Sequence, residues 1–574
     1  MTSSSNQMGR KAKEIVSSAS EYGMRSSAEI GIAACVAAAI RQSEDYDALN
    51  GEDKLGAFVR DSFDNSVSGQ YPMSSHGFLS MVDKFVHSGL SNNELINLAL
   101  HNDFSLFDHE AYSDPTDVRH LALAVMNPKA TDSISDLCCG DGALLVDIAS
   151  EMSPAHLDGV EIRKDVAAFA SARLDLLDRP NSVRNENCFS NPQLGIYDKV
   201  YLSCPFGMRF ATMGDDGTYL EPLRKGNGPF GRPSSADWAF AKLAFDSLTN
   251  DGLAIVVMAN GATFNKGDEV TRRRFVQDGM VRAVISLPRG LYSATAVPCS
   301  MLLLGRNDGN IRMVDATDLV KLGRRQNSLA SGGIDEILRR LHQDSERSRF
   351  VERKEIAKNG YSLFAGRYLQ KLPKLENATP LEDVSISIER GSNLSAQRLD
   401  ELATTEDTGI RYIRVQDITD GAISEEAPAI KLDENSITKA KAHLIRRGDV
   451  VISKSMQPFK VAVADISDDM TLLACGNLYV IHPIIDKIDP YFLAAFLTSD
   501  DGAQSLQSCM VGTSILNLPV NNLRRMEVPL PPMEKQHRVA ELYRSGIDEV
   551  QVLRIRIDKA RYTYSSAYRE VMGL

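Results

Sequence analysis

Asp198-Lys199-Val200-Tyr201-Leu202-Ser203-Cys204-Pro205-Phe206-Gly207 reads as a buried strand that stops at a small polar residue, a proline and an aromatic ring. Such a tip can offer a side-chain oxygen, carbonyl oxygens and a flat ring to one planar ligand. Three further segments carry chemistry of a matching kind. Asp136-Leu-Cys138-Cys-Gly140-Asp-Gly142 follows an apolar run and opens a helical stretch. Its glycines let the backbone approach a ligand closely, and the helix N-terminus adds donors. Glu161 closes a second apolar run, where an acid either holds both ribose hydroxyls or serves as a cap or solvated charge. Asn187 follows a third run. Each signal is weak alone; four tips in order on the first four strands form a much stronger pattern.

The spacing excludes a dinucleotide or phosphate cradle, because neither G-x-G-x-x-G nor G-x-x-x-x-G-K-[ST] is present. A cofactor with adenosine and no phosphates fits better, and S-adenosylmethionine answers that description. The eight cysteines form no Cys-x-x-Cys pair, and adjacent Cys138 and Cys139 lack metal-ligand spacing, so a reduced, metal-free chain is expected. Cys204 could be a nucleophile, but no helper histidine lies close to it in sequence.

The elements that must position these tips are short β-rich runs alternating with helical stretches. Candidate strands are Ser133–Leu137, Leu157–Glu161, Ser182–Asn185, Lys199–Ser203, Ala254–Met258, Arg282–Leu287 and Ser300–Leu304. Helical patterns at Ala143–Met152, Asp165–Leu177 and Ala236–Leu248 lie between the earlier ones. That is a doubly wound α/β sheet, whose ligands sit beyond the strand carboxyl ends at the switch point. The last two strands are too close for a crossover helix, so an antiparallel pair is expected to end the sheet. Five segments are expected: a helical bundle over 1–105, the α/β domain over 106–310, a charged helical connector over 311–374, a turn-punctuated α+β domain over 375–532 and a long helix over 533–574. The connector's arginines read either as solvated or as part of a phosphate-contacting wall.

The 574 residues carry a net charge of −12, which argues against nonspecific coating of nucleic acid but allows a local basic channel. No apolar run approaches a membrane span, and the N-terminus lacks a signal-peptide pattern, so a cytoplasmic location without membrane association is expected.

Residues 106–370 resemble the modification subunit of type I restriction–modification systems, an adenine-N6 DNA methyltransferase family. Tyr112-Ser-Asp-Pro115-Thr116 resembles the Y-T-P segment, Asp136 to Gly142 the D-P-x-C-G-S-G loop, and Ser234-Ser-Ala-Asp237-Trp-Ala-Phe240 the S-A-D-x-x-F segment. Asp251–Val257, Arg282–Pro288, Thr295–Pro298 and Tyr361–Tyr368 continue the match. From about 375 onward, Leu381-Glu-Asp-Val384, Arg411–Gly421, Leu444–Ser455, Cys475-Gly-Asn477, Asp489–Leu493, Gly512-Thr513 and Val528–Gln536 resemble, as an ordered set, one type I specificity-subunit target-recognition domain with its helix. The resemblance implies a class I S-adenosylmethionine-dependent methyltransferase (Rossmann-like) domain fused to a recognition domain, acting on double-stranded DNA. It implies a homodimer or an assembly with further restriction–modification subunits, since a specificity subunit carries two recognition domains and this chain has one.

The resemblance also assigns roles. Tyr112, Pro115, Thr116, Asp136, Cys138, Gly140, Gly142, Glu161 and Asn187 would bind the cofactor; Ser203, Cys204, Pro205 and Phe206 would hold a flipped base and its exocyclic amine. Arg272, Arg273, Arg274 and Lys454 are candidate DNA contacts. Three departures stand out. The family's Asn-Pro-Pro-Phe is Ser203-Cys204-Pro205-Phe206, an acid expected near Asn187 is an amide, and the loop serine is Asp141, which would bring an extra negative charge to the cofactor. Ser203 leaves three readings open: an adenine-N6 enzyme, a cytosine-N4 enzyme, or a catalytically degenerate binding and assembly subunit. The apolar stripe Val539, Leu542, Ile547, Val550, Leu553 and Ile557 packs either on its own domain or on another chain.

Overall fold

The alternation of β-branched runs with helices produces one nine-stranded sheet in the first part of the chain. The computed structural model describes residues 14–24, 26–43, 57, 75–101, 104, 113–177, 182–214, 218–292, 297–324, 326–369, 375, 377–392, 401–406, 408–424, 427–432, 443–455, 458–466, 470–510 and 517–572. The chain divides into two compact units, Met1–Leu369 and Gln370–Leu574.

In the first unit, helices α1 (Ser27–Gln42), α2 (His76–Val86), α3 (Asn92–His101) and α4 (Thr116–Met126) precede the sheet. There follow β1 (Ser133–Asp136), α5 (Ala143–Glu151), β2 (His156–Glu161), α6 (Lys164–Leu176), β3 (Ser182–Asn185) and β4 (Tyr197–Ser203). Next come α7 (Asp237–Asp246), β5 (Leu248–Ala259), α8 (Glu269–Gln277), β6 (Val281–Ser286), β7 (Cys299–Leu304), β8 (Ile311–Asp315), α9 (Gly333–His342) and β9 (Ser348–Val351). The spatial order is β9-β8-β6-β7-β5-β4-β1-β2-β3. Strands β1 to β5 run parallel to one another, and β7 lies antiparallel between β5 and β6. The order reverses between β1 and β4, so the crevice at their carboxyl ends is the ligand position of a doubly wound sheet.

Register sets the depth of that crevice. Asp136, the last residue of β1, stands opposite Gly159 on β2 and Tyr201 on β4. Glu161 and Ser203 each lie two residues further along their strands. The site therefore has a floor at Asp136 and two projecting walls, about 6–7 Å higher by strand rise. Both faces of the sheet are covered: one core gathers around Trp238, Phe240 and Phe275, the other around Leu121, Leu145 and Ile285.

Three expectations change. The antiparallel pair β6/β7 forms but does not end the sheet, since β8 pairs parallel with β6 and β9 antiparallel with β8. The stretch expected as a helical connector thus supplies two strands. Arg340 misled, because it is buried, as is Arg312 on β8. Arg312 donates to the carbonyls of Arg340 and Gln343, and Arg340 donates to Asp315 O and pairs with Asp318 at 2.7 Å. The N-terminal helices are not a bundle with a private core. They pack on α6, where a Cβ on Gly31 would fall 2.2 Å from the Phe169 ring.

The second unit is built of short strands. Ser385–Arg390, Leu478–Pro483, Val450–Ser453 and Val461–Val463 form an antiparallel sheet in that spatial order. Ile410–Ile413 runs parallel to Thr471–Ala474 in another. A helix over Met533–Met572 ends the described chain. Its start is anchored by Gln536, 1% exposed, which accepts from Asp489 N and donates to Lys487 O and Pro531 O. Further along, Leu542, Val550, Leu553 and Ile557 are exposed. Gly512 and Thr513 lie outside the described residues. No described helix is long and apolar enough to cross a membrane.

Candidate active site

Alternation along β4 places Tyr201 and Ser203 on one face, and both reach the same carboxylate. Tyr201 OH donates to Asp114 Oδ2 at 2.6 Å, and Ser203 Oγ donates to Asp114 Oδ1 at 2.7 Å. Tyr292 OH donates to the same Oδ1 at 2.8 Å and lies 3.5 Å from Ser203 Oγ. Asp114 itself is held from below. Arg119 on α4 donates from Nη1 to the Asp114 carbonyl at 2.6 Å and from Nε to Asp147 at 2.8 Å. Asp114 stands just before the N-cap Pro115, at the positive end of α4. Burial, and then the Asp114 charge, push the Tyr201 and Tyr292 phenols well above their ordinary range, so both stay donors.

Phe206 continues the cluster. Its ring meets Tyr292 edge to face, with centroids 4.8 Å apart and planes at 81°. Ser203 and Phe206 are half-buried, Pro205 is exposed and Cys204 is buried. Burial, then the Asp237 charge, push the Cys204 thiol well up, which argues against a nucleophilic thiolate. Asp237 of the Ser-Ala-Asp segment braces the next strand by accepting from Ala259 N at 3.2 Å.

The cofactor-side tips also converge. Glu161 accepts from Gly140 N at 3.1 Å and Arg163 N at 2.8 Å, tying the β2 tip to the loop after β1. Gly140 and Gly142 take left-handed backbone, with φ of 55° and 75°. Asp136 is buried and accepts from Cys138 N at 3.2 Å. Burial, then the neighbouring Asp114 charge, hold its carboxyl well above the usual range, and burial raises Glu161. Cys188, three residues past β3, is the first cause that pushes the Cys138 thiol up, so that segment stands beside the same loop. Asn187 Oδ1 accepts from Phe189 N at 3.0 Å, closing its own turn. Pro115 is half-buried, Thr116 is exposed, and Tyr112 lies outside the described residues.

Among the described residues no lysine or arginine pairs with the Asp136 or Asp114 carboxylate. A buried acid raised by burial and by like charge, above a glycine loop, fits a cationic ligand without phosphates. S-adenosylmethionine meets that test. The extra charge expected from Asp141 helps raise the Asp136 carboxyl, but it is countered by a partner. Asp141 is buried and pairs with buried Arg173 at 2.9 Å.

Arg272 is corrected as a DNA contact. It is 1% exposed and donates to Tyr361 O at 2.9 Å and Ala262 O at 3.2 Å, and burial lowers its pKa to about 10. Arg273, which is exposed, pairs with Glu269 at 3.5 Å, and Arg274, which is half-buried, with Asp278 at 2.5 Å. Lys454 follows the strand Val450–Ser453 in the second unit. No described group of three His, Cys, Asp or Glu could hold a metal.

Sequence reasoning missed Asp114, Tyr201, Tyr292 and Arg119. The two-residue period on β4 could have flagged Tyr201. Nothing local links Tyr292 to Asp114, 178 residues away.

Known proteins were compared with this chain. Residues 109–377 match the N-6 DNA methylase family, and residues 381–545 match the type I restriction modification DNA specificity domain. A type I restriction enzyme MpnII methylase subunit from Mycoplasma pneumoniae is 25% identical over 284 residues, covering 44% of this chain and 52% of its own length. The MjaVIII methylase subunit of Methanocaldococcus jannaschii is 27% identical over 301 residues, covering 47% and 51%. The chain thus spans about half the length of these relatives. The crystal structure of a type I restriction-modification system methyltransferase subunit from Streptococcus thermophilus aligns at 18% identity and a TM-score of 0.46, over 56% of this chain and 77% of that one. The chain therefore joins a region that matches the N-6 DNA methylase family to a region that matches the type I restriction modification DNA specificity domain.

Proposed function

We propose that this chain methylates the exocyclic amine of a base flipped out of a specific duplex DNA site, with adenine N6 the favoured target, in a restriction–modification or phage-defence system. The observation that carries the reading is the half-buried tip Ser203 to Phe206 at the switch point, beside an acidic, glycine-lined cradle, in a chain that also carries a DNA specificity region. S-adenosylmethionine, when bound, supplies an activated methyl group on a cationic sulfur.

The chain's residues do the rest. Asp136 and Glu161 would hold the cofactor's cationic and ribose parts, and the loop from Cys138 to Gly142, with Asn187, would line the rest of it. Phe206, fixed by Tyr292, stacks on the flipped base. Extrusion costs a few kcal/mol, which stacking and edge hydrogen bonds offset. Ser203 Oγ and the Cys204 carbonyl accept from the amine and aim its lone pair. Orientation accounts for much of the acceleration, so a strong base is not required. The second unit reads the duplex, with Lys454 as a phosphate contact on it and Arg273 and Arg274 as phosphate contacts on the first unit. A homodimer, or an assembly with further restriction–modification subunits, reads a two-part site.

Two other readings rest on the same tip. A serine in this position suits cytosine N4, and loss of the first proline loosens the turn in a way that suits a binding subunit. Calorimetry with S-adenosylmethionine, together with single-molecule sequencing of DNA from expressing cells, separates the three. The proposal expects binding and N6-methyladenine at one motif. N4-methylcytosine, or cofactor binding with no modified base, defeats it.

A further inference from the structure

Ser203 stands where the related motif has an amide, and a lone hydroxyl is a poor replacement because it can rotate and donate instead of accept. The structure removes that freedom. We infer that Asp114 is a positioning residue which fixes Ser203 as an acceptor for the target amine, so that Asp114 and Ser203 together replace the missing amide. This inference rests on the methyltransferase reading above.

Three observations support it. Ser203 Oγ commits its single proton to Asp114 Oδ1 at 2.7 Å, which leaves the hydroxyl's lone pairs for another donor. Asp114 cannot swing away, because Tyr201 and Tyr292 each donate to it, at 2.6 and 2.8 Å, and Arg119 clamps its carbonyl at 2.6 Å. Tyr292 also packs on Phe206, so one hydroxyl links the acceptor to the ring that stacks on the base. A carboxylate with only a packing role in a sheet would not gather three hydroxyls at the one tip where chemistry is proposed.

The step balances. The amine lone pair forms the new N–C bond, and the electrons of the broken C–S bond remain on sulfur as a neutral thioether. The surplus amine proton passes to Ser203 Oγ as the serine proton moves to Asp114. Polarising the hydroxyl in this way is ordinary general-base assistance, worth about 10²-fold or more.

The test uses the full chain, S-adenosylmethionine and unmethylated genomic DNA. Asp114→Asn keeps the side-chain shape; its kcat should fall about 100-fold while the calorimetric Kd for the cofactor stays within threefold of wild type. Asp114→Ala should lose as much, and added formate should restore at least tenfold, a recovery that a purely structural role would not give. Formate should do nothing for Ser203→Ala. The inference fails if Asp114→Asn keeps kcat within threefold. It fails equally if cofactor affinity drops in step with kcat, which would make Asp114 a cofactor ligand, or if formate gives no recovery. Absence of methylation by the wild type would overturn the parent reading, and this one with it; loss confined to the variants' response overturns only this one.

Discussion

Arg173→Met tests how the cofactor loop is held. Arg173 on α6 is 1% exposed and pairs with Asp141, itself buried, at 2.9 Å. The same guanidinium donates to Asp141 O and to Ala99 O of α3, both at 3.0 Å, and lies 4.0 Å over the Phe169 ring. Methionine fills similar volume but leaves Asp141 buried, with Ala143 N as a remaining donor at 3.3 Å. Stranding one member of a buried pair costs about 3–5 kcal/mol. For a unit this large, that corresponds to a fall in Tm of roughly 4–6 °C. Trp238, the chain's one tryptophan, is fully buried in this unit, so its fluorescence follows the right transition. Asp141→Ser alone should also destabilise, because it removes the carboxylate that pairs with the buried arginine. The double variant should be more stable than the two single losses predict, by about 1–3 kcal/mol of coupling. A loss below about 1 kcal/mol for Arg173→Met, or simple additivity, refutes the account.

Other outcomes follow from the same geometry. Gly142→Ala should cost about 1–3 kcal/mol, because φ is 75° and the added Cβ would sit 2.9 Å from Ala170 Cβ; calorimetry should show weaker cofactor binding as well. Asp136 has its folded pKa raised above the ordinary 3.8, so its neutral form suits the fold, and its contribution is present below that value and lost as pH rises through the raised pKa. Asp136→Asn should therefore match wild type near pH 4 in thermal unfolding and melt higher at neutral pH, whereas saturating S-adenosylmethionine should stabilise wild type more. Arg272→Ala should destabilise by about 2–4 kcal/mol in urea titrations, since it removes a buried cation bonded to two carbonyls. Arg273→Ala and Arg274→Ala should leave stability within about 0.5 kcal/mol and each lower the salt slope of DNA binding by about one.

What the sequence showed best was whatever depends on local pattern. The runs ending at Asp136, Glu161, Asn185 and Ser203 are strands because each carries β-branched or aromatic residues, and a glycine follows soon after the first and the last. Their order alone locates the crevice. The helix beginning after Pro532 was equally plain from its spacing. What failed was reading charge as exposure. Arg340 and Arg272 looked like surface cations, yet each is buried and donates to a backbone carbonyl, a partner type that leaves no trace in side-chain patterns. Asp141 failed for the same reason, since its partner lies 32 residues away on another element. The Asp114 cluster could not be read at all, because it joins residues 89 and 178 positions apart whose only common property is where the sheet puts them.

The two strand tips that rise past Asp136 do so by backbone register, not by the lengths of their side chains. The frame and its contents are therefore separable. A substitution at 203 alters which atom meets the ligand while leaving the height of that meeting point unchanged, because the rung beneath is fixed by hydrogen bonds between β1 and its two neighbours. Chemistry at such a place can drift by single residues, with compensation arriving from a segment such as Ser113–Pro115 that is not part of the frame. Whether a motif in this chain is intact is then a question about the occupants of a position, and a mismatch within one segment need not be a loss.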